Sequence, residues 1–400
     1  MTAAGLAAFH GAQRIVPQAV VPFGATDLWF DSDSPRVYMN MTSFGVGKPS
    51  YTKRHPLFIP AMLPLVRGLR AVTGLEMLQA VRVVTSAVAA VWLGLLFALL
   101  RSLGCRRLDA VLLSLLASVS AASLFWMVIQ ETWALGSIAI MLALHLVLIA
   151  QQQPVREGWY TAATAWAMGT TITNWMVGII MTLVQLPWRR ALQVNANALC
   201  VVVLLWTAQH YIHPADQFFL YQRTPSKYIF HPDAGGPKKI TAAFIYHAMV
   251  MPQLQEVKRP AFPGNGLSVQ HSPPGSAGGW GHVAAGLWTI LLALGVWAMT
   301  RGALSRDLRL VVSYAVLGQW VLHLIYGQEV FLYVLHWLPL LIVVVACGTL
   351  TTMRPVVLAC ASLLLLTAGV NNVQQFRQAV AYVNQYVAAH PDIDSWKPTE

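Results

Sequence analysis

Charge is what this sequence has least of. Only 10% of its 400 residues are Asp, Glu, Lys or Arg, where a soluble globular chain carries about 25%. Acids are scarcer than bases, 15 against 26, which leaves a net charge of +11. Hydrophobic residues make up 56% of the chain and its mean hydropathy is +0.56. These values exclude the two or three water-soluble domains that the length alone would suggest. Cysteine is equally sparse. Cys105, Cys200, Cys347 and Cys360 form no CxxC pair, so neither a disulfide framework nor a thiolate metal site is indicated. Cys200 and Cys360 fall in apolar runs, where cysteine behaves as a small hydrophobe. The histidines at 210, 213, 231, 247, 271 and 282 lack the HExxH spacing of a zinc site and read as scattered surface residues.

What fills the chain is long apolar runs. A helix of roughly 20 apolar residues crosses a bilayer of about 30 Å. Runs of that kind occupy 81–101, 110–128, 132–150, 191–208, 282–300, 308–326, 331–349 and 355–371. The stretch 159–188 is too long for one crossing and is broken at "TITNWM", which predicts two short helices meeting near Asn174. The expected fold is an all-α polytopic membrane protein of about ten transmembrane helices, because the runs are continuous rather than alternating. Residues 5–24 are interrupted by His10, Gln13, Arg14, Pro17 and Gln18, so they make neither a convincing span nor a signal peptide. The favoured expectation is a missing or degenerate first helix, which would make eleven in an ancestral form. An N-terminus on the outer surface is the other.

Arg101, Arg106 and Arg107, then Arg156, Arg189 with Arg190, Arg301 with Arg306 and Arg309, and Arg354 fall in alternate loops. Basic short loops face the cytoplasm. The expected organisation is therefore an N-terminal segment and outer acidic loop (1–80), a first helix group (81–208), a long outer loop (209–281), a second helix group (282–371) and an outer tail from 372. Interfacial helices are expected at 57–72 and at 240–251, the latter resting on the membrane, and 262–281 reads as mobile from its Gly, Pro and Ser content.

Against this background the few charges stand in clusters. "WFDSDSPRVYMN" (29–40) sets Asp31 and Asp33 beside Arg36, with Asp27 just upstream. The aspartates could be helix N-caps on a solvated loop, or a carboxylate held at the surface as a general base. "YTKRHPLFIP" (51–60) brings Lys53, Arg54 and His55 to the start of an apolar segment. It suits a headgroup anchor or a phosphate site. Glu131 opens the helix after "QETW", where the helix dipole favours it. Glu329, Tyr333 and His336 are spaced i, i+4 and i+7, which on an α-helix gives one face. Lys238 and Lys239 add basic character to the long outer loop.

The order of these parts resembles the GT-C superfamily of integral membrane glycosyltransferases, most closely its mannosyltransferase and aminoarabinose-transferase branches. The resemblance is carried by Asp33, Arg36 and Tyr38, then by Lys53, His55, Pro56 and Leu57, about forty residues in all. Ser34 stands where the family often has a second acid, with Asp31 two residues upstream. The resemblance implies an inverting transfer of sugar from a polyprenyl-phosphate donor to a glycan or lipid acceptor, at the outer face of a bacterial plasma membrane. It implies Asp33 or Asp31 as the base, and Arg36, Lys53, Arg54, His55, Glu329, Tyr333, His336, Lys238 and Lys239 as substrate contacts. No cofactor is required, though Asp31, Asp33 and Glu131 would be the ligands if a divalent metal, Mg²⁺ or Mn²⁺, takes part. Membrane lipids are the other partners; nucleic acid is not one. A transporter or flippase would instead place charge or repeats at mid-membrane, where only His145 stands. A non-catalytic subunit of an envelope-assembly complex would need none of these residues.

Overall fold

A computed structural model describes residues 1–22, 28–43, 54–212, 218–219, 228–258 and 265–393. In chain order its helices are α1 (Thr2–Gln13), α2 (Ser34–Thr42), α3 (Phe58–Thr73), α4 (Met77–Ser102) and α5 (Arg107–Ser118). There follow α6 (Ala121–Trp126), α7 (Trp133–Ala150), α8 (Glu157–Thr170), α9 (Trp175–Gln185) and α10 (Trp188–Ile212). After α11 (Gly236–Ala242) comes a hairpin, β1 (Gln255–Lys258) antiparallel to β2 (Asn265–Ser268). The chain closes with α12 (Gly279–Thr300), α13 (Arg306–Ile325), α14 (Val334–Thr349) and α15 (Arg354–Ala389). Among the described residues the fold is all-α apart from that hairpin and one isolated bridge between Ile229 and Tyr326.

Seven helices are long and apolar enough to cross a membrane: α4, α7, α10, α12, α13, α14 with the turn before it, and α15. Their outward faces carry exposed side chains such as Val91, Leu204, Val296, Leu317 and Leu366, as a lipid-facing surface requires. α14 runs through the middle, almost wholly buried.

The expected ten crossings are not ten such helices. The run 110–128 is cut into α5 and α6 at Val119–Ser120, where Ser120 caps α6 by accepting from the Ser123 N–H. The run 159–188 does fall into two short helices, α8 and α9, joined by a 3-10 turn at Ile172–Asn174. Residues 2–13, too polar to read as a span, form α1, which packs along α4 through Gly5 against Ser86 and Ala90.

The long loop also differs from expectation. Residues 240–251 do not rest on the surface. α11 runs into a π-helical turn at Ala243–His247 that plugs the bundle, with Phe244 stacked on Trp337 at 4.3 Å. Trp337 and Trp288 donate to the Phe244 and Ile245 carbonyls. Within 265–281, Leu267, Val269, Gln270 and Ser272 are buried rather than loose. Gln270 holds both Ala234 O and Val330 N.

Nor does α15 stop at 371. It runs on to Ala389, 36 residues in all, or about 54 Å at 1.5 Å each, well beyond a bilayer. Asn372 binds the carbonyls of Val119 and Met249 and the Met251 N–H, and Asn371 binds Met251 O. Further out, Asn384 exchanges hydrogen bonds with Arg14 O and Val16 N. At the opposite end Arg354 makes a two-pronged ion pair with the buried Asp109.

Candidate functional site

The site lies where α7, α9 and α14 begin and α8 and α13 end. Beneath it is a cluster of buried aromatics: Trp29, Phe30, Phe125, Trp126, Phe331 and Phe376, with neighbouring ring centroids 5.2–6.3 Å apart. Trp29 and Phe30 come from the acidic segment itself. Phe30 and Asp31 both adopt positive φ, 50° and 64°, and the turn closes with Ser32 N donating to Trp29 O. Two non-glycine residues in that region cost on the order of 1–3 kcal/mol each. Burial of the Trp29 and Phe30 rings offsets that strain, and the turn brings the Asp31 carboxylate to Gln328.

The two aspartates are thereby given different surroundings. Asp33 precedes the first turn of α2 and forms an ion pair with Arg36, and its N–H donates to Glu131 Oε1 at 2.7 Å. Among the described residues Asp31 accepts a single side-chain hydrogen bond, from Gln328 Nε2 at 2.8 Å, and it lies within electrostatic reach of Tyr333. Glu131 is buried; it also accepts from the Thr132 N–H and faces Arg36. Burial pushes its carboxyl up to about 8, against the lowering by Arg36 and the Thr132 amide. Arg36 is depressed by its own burial and by Arg54 nearby, while Glu131 and Tyr333 favour its charge.

Next to this group is a cavity of about 130 Å³, lined by Arg54, His55, Trp133, Thr171, Ile172, Thr173, Leu322, His323, Tyr326, Tyr333 and His336. Arg54 is held between two tyrosines, 5.3 Å from the Tyr228 ring centre and 5.4 Å from that of Tyr326. Among the described residues no carboxylate pairs with it. His55 has no such freedom: Nδ1 donates to Thr170 O at 2.7 Å and Nε2 faces the Thr132 hydroxyl at 3.2 Å. Burial pulls it down to about 3, so it is neutral. "RHPLF" accordingly works as a clasp on the end of α8: Leu57 N donates to Gly169 O, and Ile172 N to Arg54 O. A side chain at Gly169 would meet Leu57 at 2.5 Å.

The structure therefore brings Asp31, Asp33, Arg36, Arg54, His55, Glu131, Tyr333 and His336 to one end of the bundle. Lys53 and Asp27 lie outside the described residues. Lys238 and Lys239 are exposed on α11, with Lys239 Nζ 2.9 Å from His271 Nδ1, and neither lines the cavity. Glu329 does not share a face with Tyr333 and His336. It is extended (φ −122°, ψ 100°) and Val330–Tyr333 is a 3-10 turn, so α-helical spacing does not begin until α14. Its carboxylate instead accepts from Ser268 Oγ. Nor do Asp31, Asp33 and Glu131 form a ligand set. Their oxygens go to Gln328, Arg36 and backbone N–H groups, and among the described residues no three His, Cys, Asp or Glu gather as metal ligands.

The sequence reading missed Gln328, Trp133, Thr171, His323 and the Tyr228–Arg54–Tyr326 stack. Tyr326 belongs to no charged cluster in the sequence, and only tertiary contact pairs it with Arg54. Compared with known protein families, characterised proteins and solved structures, the chain matches none, so the site is interpreted from its own geometry.

Proposed function

We propose that this chain is a membrane glycosyltransferase that moves a sugar from a polyprenyl-phosphate donor to an acceptor hydroxyl. The observation that carries the reading is Arg54: a cation lining a cavity, steadied by two tyrosine faces and lacking a carboxylate partner among the described residues. A guanidinium so placed suits an anionic oxygen ligand. Asp31 lies within electrostatic reach of Tyr333 in the cavity wall, and among the described residues its side-chain partner is the neutral Gln328 and no cation pairs with it. In this reading the acceptor hydroxyl gives its proton to the Asp31 carboxylate as its oxygen bonds to the anomeric carbon. The bond from that carbon to the donor phosphate breaks, and its electron pair leaves on a phosphate oxygen beside Arg54 and Arg36. Attack opposite the leaving phosphate inverts the anomeric centre. The base is Asp31, because the Asp33 carboxylate is paired with Arg36 and positions it.

The reading places the protein in a bacterial plasma membrane, with the site on the outer side, ten crossings counting the short helices, and lipid donors entering between helices. A transporter is disfavoured because the polar cluster stops near Gly136 and Asn174. Beyond it, α7 and α14 are filled with Leu, Ile, Val and Ala. Transfer from polyprenyl-phosphate-linked sugars in isolated membranes tests the proposal. Asp31→Asn is expected to lower the rate by a hundredfold or more, and Arg54→Ala to weaken donor use roughly ten- to a hundredfold. Asp33→Asn should lower it less than Asp31→Asn. Wild-type rates in both Asp31→Asn and Arg54→Ala would sink the reading.

A further inference from the structure

Gln328 meets Asp31 across 297 residues of chain, and the backbone on both sides of that contact is held in place by the fold. Asp31 stands at φ 64° in the turn that the buried Trp29 and Phe30 rings anchor. Opposite it, the link from α13 to the turn at Val330–Tyr333 is pinned almost residue by residue to the outer loop. Phe230 N donates to Ile325 O at 2.7 Å, and Tyr326 forms an antiparallel bridge with Ile229. Gly327 N donates to Tyr228 O at 3.0 Å. The Glu329 carboxylate accepts from Ser268 Oγ, and Val330 N donates to Gln270 Oε1 at 2.8 Å. Gly327 turns the chain at φ 106°, a conformation that favours glycine. The Gln328 side chain thus projects from a fixed backbone, with Nε2 2.8 Å from Asp31 Oδ2.

We infer that Gln328 is the positioning residue of the base: it fixes Asp31 Oδ2, so that Oδ1 is the oxygen presented to the acceptor hydroxyl. The inference rests on the glycosyl-transfer reading above. Among the described residues no hydrogen bond is made to Oδ1. A neutral amide suits this task better than a cation. An opposite charge at bonding distance favours the ionised carboxylate and so weakens it as a base, which is the situation of Asp33 beside Arg36. An amide N–H supplies direction with less of that penalty, because neutral donors hold a carboxylate less strongly than charged ones. The contact also survives the reaction. When the acceptor proton arrives on Oδ1, Oδ2 becomes the carbonyl oxygen of a carboxylic acid and still accepts from Nε2. Nothing in the contact has to reorganise as charge moves, which is what preorganisation requires. The same link carries more than the base. Tyr228 and Tyr326, joined through it, are the two rings that flank Arg54.

Transfer from farnesyl-phosphate-linked mannose and arabinose in isolated membranes, at rates per inserted chain, tests this through a double-mutant cycle. Gln328→Ala should lower the maximal rate tenfold or more and leave the donor KM within threefold. Gln328→Glu keeps the size of the side chain but loses the donor, and should lower the rate at least as far. Gln328 is only half-buried, and the glutamate variant carries the test if the alanine variant does not insert. In an Asp31→Asn background, where no base remains to be oriented, either change should cost less than a further twofold. A loss in that background as large as in the wild type overturns the inference, since Gln328 would then act on the fold and not through Asp31. A wild-type rate in Gln328→Glu overturns it as well. No transfer by the wild-type chain, or a wild-type rate in Asp31→Asn alone, fells the reading beneath and this inference with it.

Discussion

Glu131 and His55 sit one residue and one hydrogen bond apart through Thr132, yet burial moves them in opposite directions. Burial raises Glu131 from 4.5 to about 8, so between those values the folded chain holds a proton that the unfolded chain has lost. Stability therefore falls as pH rises through that window. His55 is lowered from 6.5 to about 3, so there the unfolded chain takes the proton first, and stability falls as pH drops below 6.5. Melting temperature in detergent should fall from pH 6.5 to 8, and Glu131→Gln should flatten that limb, a difference on the order of 2 kcal/mol at 1.36 per unit. An alkaline limb unchanged in Glu131→Gln would show that the proton is bound elsewhere. These residues were legible as a cluster, because carboxylates and cations are rare in this chain and their spacing is visible. Which aspartate lacks a cation among the described residues was not legible. It depends on Gln328, 297 residues away from Asp31, and on the backbone turn at Phe30.

Long apolar helices were the most legible elements, since each carries its own signal in one continuous run. The errors fall where a distant group interrupts the run. Val119 ends α5 because Asn372 takes its carbonyl, and Asn372 sits inside a stretch that reads as an outer tail. The turn at Val330–Tyr333 rotates Glu329 away from the face that α-helical spacing assigns it. Asn372 is fully buried and joins α15 to two separate segments, so its loss leaves several backbone groups unsatisfied. Asn372→Ala is expected to cost on the order of 3 kcal/mol. Thermal unfolding in detergent measures it; a melting temperature within a degree of wild type would mean that these bonds are replaced by water. Gly136→Ala has a different expected signature. Its Cβ collides with His336 Nε2, Asn174 Nδ2 and Thr171 Oγ1, which should cost about 1–3 kcal/mol and displace His336 and Thr171 in the cavity wall. The transfer rate should then fall along with the melting temperature, and an unchanged rate would show that these side chains do not support the site.

At the scale of the molecule, the helices from α4 onward, apart from the short α6 and α11, alternate between an end bearing the site and an end bearing Arg101, Arg106, Arg107, Arg301, Arg306 and Arg309. Those arginines predict a cytoplasmic arginine end. Gly279 begins α12 at the site end, exposed and with nothing near its Cβ, while Ala303 lies at the other end. In a background where the exposed Cys200 and the half-buried Cys360 are replaced by alanine, Gly279→Cys should react with an impermeant thiol reagent from outside, and Ala303→Cys should not. Reversed labelling would turn the site toward the cytoplasm. The clasp between Asn384 and the Arg14–Val16 backbone carries a further consequence, one of time. These partners are 368 to 370 residues apart, and synthesis at roughly 5–20 residues per second separates their appearance by about 20 to 75 s. Throughout that interval the N-terminal segment waits without its final anchor. The fixing of residues 14–16 is then a late event of biogenesis, and chains released before residue 384 should carry a protease-sensitive N-terminus on an otherwise inserted bundle.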